Sequence, residues 1–117
     1  MNQPQHTREE FKCAYQGYRG RIIVGISCLT FSSEQLTVEF PWECIKQIKV
    51  TTKHLKDVPT TMLEVKVSCP KQPHHQQLFH SGKHYFYYFD DIVVAEKLIQ
   101  RTKSASEANA GSAVGGE

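Results

Sequence analysis

Six histidines and four cysteines are the residues of this 117-residue chain best suited to do chemistry. His74, His75, His80 and His84, with Cys69, bring zinc-competent ligand types into one segment. The set does not have zinc-finger spacing, His80 and His84 stand four apart but with Gly82 between them and not on an expected helix, and Pro70 and Pro73 interrupt the stretch. A solvated polar loop follows, and no metal is expected. A Cys/His nucleophile pair needs a thiol poised beside a base. Cys28 and Cys69 instead lie in strand-like runs, where a small buried thiol is the commoner use. Phosphate-loop chemistry needs a glycine-rich turn followed by Lys and Ser or Thr. Ser81-Gly82-Lys83 runs into His84, and Gln77 occupies the first glycine's place. Gly17-Tyr18-Arg19-Gly20 is a turn, not a dinucleotide fingerprint. No catalytic residue, enzymatic activity or cofactor is expected.

The cysteines at 13, 28, 44 and 69 form no CxxC pair and no dense disulfide framework. Met1 to Glu10 is polar and has no apolar core of a signal peptide, so four reduced thiols in the cytosol or nucleus are the simplest expectation. No apolar run approaches the length of a membrane span; Ile22-Ile23-Val24 is broken by Gly25.

Charge is the more informative signal. The whole chain carries only +2, but residues 11–103 hold 13 Lys or Arg against 8 Asp or Glu, a difference of +5. Six lysines fall within residues 46–71, against Asp57 and Glu64. Residues 104–117 contain ten Ala, Gly or Ser out of fourteen and read as a flexible linker, as residues 1–10 read as a disordered arm. The expected folded unit is therefore 11–103, an N-terminal module of something longer. A specific duplex binder would be more basic than this chain, whose pI is about 8.4, so specific nucleic-acid binding is not expected.

Periodicity places most of the module in strands. Arg21 to Phe31 is rich in β-branched residues; Leu36, Val38 and Phe40 alternate with polar neighbours, and Pro41 ends that run. Ile48 and Val50 are expected inward, with Lys49 and Thr51 outward. Thr52 to Thr61 is polar, contains Pro59 and reads as a loop. Leu63, Val65 and Val67 then face in, while Met62, Glu64, Lys66 and Ser68 face out. Cys69 to Lys83 reads as a long exposed connection. His84 to Phe89 is an aromatic strand, and Asp90-Asp91 sits where a helix start wants acid. Ile92, Ala95, Leu98 and Ile99 recur at helical spacing, with Arg101 and Lys103 at the C-terminal end. The fold class is mainly β (α+β): a bent antiparallel sheet or barrel of about seven strands capped by one C-terminal helix. Trp42, between Phe40 and Ile45, is expected to be structural.

The run Gly20 to Phe31, Pro41-Trp42, Ile45-Lys46-Gln47-Ile48 and the closing aromatic strand and helix resemble the pleckstrin-homology superfold. Within it, residues 11–103 are most similar to the N-terminal domain of the BSD-bearing core subunit of the transcription and repair factor TFIIH. GRAM-type domains come second. The first resemblance implies a non-catalytic recruitment module, nuclear and part of a larger complex, that binds acidic disordered segments of transcription or DNA repair factors. Carried onto this sequence, Lys49 and Lys66 would pair with acids. Met62 and Phe86 would line an apolar notch, and Thr51 would lie beside them. Glu64 stands where that family tends to carry a basic or amide side chain. The second resemblance implies a cytoplasmic, membrane-peripheral module that reads phosphoinositide headgroups through Lys12, Arg19 and Arg21. The plain alternative is a solvated lysine-rich sheet face without a partner.

Overall fold

The structure is a computed structural model and describes residues 9–68 and 81–115, with side chains described as far as residue 108. The strands are β1 (Glu9–Tyr15), β2 (Tyr18–Val24), β3 (Cys28–Ser33), β4 (Thr37–Pro41), β5 (Ile45–Leu55), β6 (Val58–Val67) and β7 (Gly82–Tyr87). A single 3-10 turn, Trp42–Cys44, links β4 to β5, and the helix α1 spans Ile92–Gly115. All strand pairs are antiparallel in one sheet of order β4-β3-β2-β1-β7-β6-β5.

Local chemistry explains the turns. Gln16 and Gly17 at one hairpin, and Lys56 and Asp57 at another, all have positive φ. That backbone matches the right-handed twist of the flanking strands and gives tight two-residue connections. The second of these hairpins replaces the loop expected over Thr52 to Thr61. Leu55 pairs with Val58 and His54 with Pro59, so the ladder runs almost to the tip. Pro59 is tolerated because its position needs no ladder donor near the end of the ribbon.

The alternation of apolar residues sets the core. Ile22, Leu29, Phe31, Phe40, Leu63, Val65 and Phe86 are fully buried on the inner face, with Ala95 and Ile99 of α1 in the same cluster. Val50 faces inward beside the fully buried Leu63 but is 42% exposed, because it lies on β5, the edge strand of the sheet. Trp42 is buried, and its Nε1–H donates to the Gly25 carbonyl at 3.1 Å, tying the β4–β5 junction to the β2–β3 turn. Asp91 caps α1 by accepting from the Val94 amide at 3.2 Å. The helix then continues to Gly115, into the stretch whose composition reads as linker. Ala and Ser rows do not break a helix already nucleated by packing.

Cys13 and Cys28 are free thiols, whereas Cys44 is disulfide-bonded, a departure from the expectation of four reduced thiols. Cys69, His74, His75 and His80 lie outside the described residues. Among the described residues no helix is long and apolar enough to cross a membrane. A curled seven-stranded antiparallel sheet closed by one C-terminal helix is compatible with a pleckstrin-homology-like fold.

Candidate binding face

Register decides which side chains share a surface. Lys49 pairs with Glu64 and Glu64 with Tyr85; Thr51 pairs with Met62, Met62 with Tyr87, and Tyr87 with Ala14. Ala14 pairs in turn with Arg19, and Lys12 with Arg21. Directly opposed residues of an antiparallel pair point to one side. The outer face of β2, β1, β7, β6 and β5 therefore carries Lys12, Arg19, Arg21, Lys49, Lys53, Lys66 and Lys83. The two cation sets expected to mark rival sites lie on one continuous face.

At its centre is a second, smaller apolar cluster of Ala14, Met62 and Tyr87, with Leu55 and Tyr85 packed against it. Met62 is only 5% exposed, so it does not line an open notch. Tyr87, itself only 8% exposed, and the half-buried Tyr85 pack with it. Phe86 belongs to the opposite face and is fully buried in the main core. It is removed from the candidate binding residues, because one step along a strand turns a side chain through the sheet. Lys49, Thr51 and Lys66 stay on the outer face, Thr51 half-buried beside Met62.

Glu64, expected to face out and repel an acidic ligand, has a side chain only 6% exposed and lies 3.9 Å from Lys49 Nζ. Two consequences oppose each other. The acid is screened from an incoming polyanion, but Lys49 is partly neutralised. Arg21 is likewise engaged, donating to Glu10 Oε1 at 3.0 Å. Among the described residues no acid lies within ion-pair distance of Lys12, Lys53, Lys66 or Lys83. Lys66 and Lys83 are cross-strand neighbours of the same sign, which is unfavourable without an anion.

Two cations rest on aromatic rings. Lys53 Nζ lies 4.7 Å from the Tyr85 ring centroid and donates to Tyr85 Oη at 3.3 Å. The Arg19 guanidinium lies 5.7 Å from the ring of Tyr88, which is 54% exposed. Such pairs hold a cation at a defined place while leaving its charge unneutralised. Lys53 and Lys83 are the cations of this face that no sequence motif marks, and Tyr85 and Tyr88, aromatics suited to stacking, are the rings beneath Lys53 and Arg19. The signal for Lys53 is the strand alternation through 49, 51 and 53, masked by the polar composition of 52–61.

The buried thiol of Cys13 is no nucleophile: burial pushes its pKa up to about 12, only partly offset by a backbone hydrogen bond with Ile22. His84, one of the zinc-competent set, is buried among aromatic rings and hydrogen-bonds Tyr15. No family model matches the chain, and no curated protein matches it.

Proposed function

We propose that this domain is a non-catalytic interaction module that recruits acidic disordered protein segments to the outer face of its sheet. The observation that carries the reading is the composition of that face. Across β2, β1, β7, β6 and β5 it presents seven cations, and its acids there, Glu10 and Glu64, are each held by one of those cations. An acidic chain gains long-range attraction from such a surface, and an aromatic side chain of the partner would settle against the half-buried Tyr85 to supply desolvated contact. The resemblance of residues 11–103 to the N-terminal domain of the TFIIH subunit supports the same reading. It would make the domain a nuclear recruitment module of a transcription and DNA repair complex.

Phosphoinositide headgroups are the rival ligand for Lys12, Arg19 and Arg21. Arg21 already holds Glu10, and Arg19 lies on Tyr88, which leaves Lys12 as the one uncommitted cation of that set.

Titration of the ¹⁵N-labelled chain with a Glu/Asp-rich peptide containing one Phe tests the proposal. Shifts are expected at Lys53, Lys66, Lys83 and Tyr85, and Lys66→Glu with Lys83→Glu should abolish them without unfolding the domain. No shifts with peptide, but shifts at 12–21 with a soluble inositol phosphate, would move the assignment to the headgroup reading.

A further inference from the structure

We infer that the domain associates with a second copy of itself through one patch, made of a groove between α1 and the β4–β5 junction and of the turn beside it. The groove has a volume of about 460 Å³. Trp42 and Ile45 form its apolar floor, and the stem of Lys103, whose side chain is only 14% exposed, walls the α1 side. Ser27 brings the β2–β3 turn to the rim. The Trp42 amide donates to the Ser27 carbonyl at 3.4 Å and its indole N–H to the Gly25 carbonyl, so this turn is tied to the groove.

Ile26 stands at the tip of that turn and is 94% exposed. It belongs to neither apolar cluster, and a turn tip favours Gly, Asn, Asp or Ser over a β-branched side chain. Neither packing nor turn geometry accounts for it. The same patch therefore carries an apolar knob in water and, beside it, an apolar-floored groove that the knob does not fill. A two-fold axis joins them. In an isologous contact residue i of one copy meets residue j of the other, and j meets i, so each Ile26 seats in the groove of the other copy.

Charge selects a second copy over other occupants. The rim carries two acids, Glu43 and Glu107, and two cations, Lys46 and Lys103. Lys103 and Glu107 pair with each other along α1. Lys46 donates to the Glu43 backbone carbonyl at 3.2 Å, and among the described residues neither Lys46 nor the Glu43 carboxylate is in an ion pair. An acidic ligand would meet Glu43, and a basic one would meet Lys46. A second copy meets opposite charge at both places, Glu43 against Lys46 and Lys46 against Glu43. Ala95 and Ile99 fix α1 to the inner face, so the outer lysine face takes no part in the contact. The patch holds a handful of residues, against about 20–30 a side in a stable complex, so the dimer belongs to the transient class.

Sedimentation equilibrium of the full chain, carried to about 1 mM, tests the contact. A concentration-dependent equilibrium between monomer and dimer is expected. Ile26→Ser should weaken it at least about tenfold with an unchanged thermal midpoint, because the side chain is buried only in the dimer. Glu43→Lys and Lys46→Glu should each abolish self-association, since each sets like charges together twice. Mixed in equal amounts, these two variants should associate again, because every cross-pair between them is of opposite sign. A chain that stays monomeric at 1 mM overturns the inference. Association that survives Ile26→Ser overturns it too, and this variant decides alone should either charge variant fail to fold. A mixture of folded charge variants that stays monomeric does the same. Groove shifts in a monomeric chain on adding acidic peptide or phosphatidylserine vesicles assign the patch to that ligand and overturn the second copy. Peptide binding at the outer face is expected to be unchanged by Ile26→Ser, so the dimer and the proposed function are read separately.

Discussion

Tyr15 Oη lies 2.6 Å from His84 Nδ1, and both side chains are buried. The contact sits at the narrowest part of the sheet. β1 and β7 share only two register pairs, Ala14 with Tyr87 and Tyr15 with Phe86. Side chains reinforce that seam: Tyr15 stacks on Phe86 with centroids 4.7 Å apart, and the Gly17 amide donates to Tyr87 Oη at 2.9 Å. The seam joins the two halves of the lysine-bearing outer face. Tyr15→Phe keeps the ring and removes the hydroxyl, and should cost about 1–3 kcal/mol, the price of taking a hydrogen-bond partner from a buried polar group. Chemical denaturation would check the value, and an unchanged midpoint would show that the hydroxyl contributes nothing.

Trp42→Ala should destabilise by about 3–5 kcal/mol, since the indole is buried and its N–H is bonded to the Gly25 carbonyl. Loss of peptide binding with an unaltered thermal midpoint would instead make Trp42 a ligand anchor.

Gly20 is dictated by close approach and not by backbone dihedral. A Cβ at this position would lie 2.1 Å from the Ser32 carbonyl oxygen on the neighbouring strand. Backbone has to move to admit it, so Gly20→Ala should cost at least about 3 kcal/mol. Gly17, where a Cβ meets nothing, serves as the comparison. Its φ of +85 makes replacement costly through strain alone, so the two variants separate packing from conformation. A Gly20→Ala domain as stable as the original would disprove the contact.

Alkaline pH should weaken the fold. An unfolded chain begins to lose the Cys13 proton near pH 9.0, the folded chain only near pH 12. Between those values the folded state binds more protons, so stability is full below pH 9 and falls as pH rises toward 12. Burial raises Tyr15 in the same sense. Urea unfolding at pH 8 and pH 11 should differ by about 3 kcal/mol, and Cys13→Ala should remove most of the difference. Thiol labelling at pH 8 followed by peptide mapping should find Cys28 modified and Cys13 protected until unfolding. A flat pH profile would argue against the burial of this thiol.

Affinity for an acidic peptide should be modest and should fall with salt, because charges on an exposed face are screened over about 8 Å at physiological ionic strength. Lys49→Glu should matter less than Lys66→Glu, since Lys49 already lies beside Glu64 while Lys66 faces Lys83. Isothermal titration across a salt series would rank them, and the reverse order would place the ligand nearer the Glu64 end of the face.

Alternation and turn chemistry are local properties, and they are why seven strands, the inward set Leu63, Val65 and Val67, the acid-capped helix start and the structural tryptophan were legible in the chain itself. A side chain's face follows from counting in twos wherever the strand is continuous. Tertiary structure decided three further points. Thr52 to Thr61 is strand because β5 and β6 support each other across a tight turn; polar residues on an exposed ribbon carry no burial pattern to announce it. Met62 and Glu64 obey the outward alternation yet are covered, because Leu55, Tyr85 and Tyr87 arrive from elsewhere in the chain. Phe86 enters the core because β7 is inserted between β1 and β6. That same insertion, which no spacing along the chain reveals, sets Lys12, Arg19 and Arg21 on one surface with Lys53, Lys66 and Lys83.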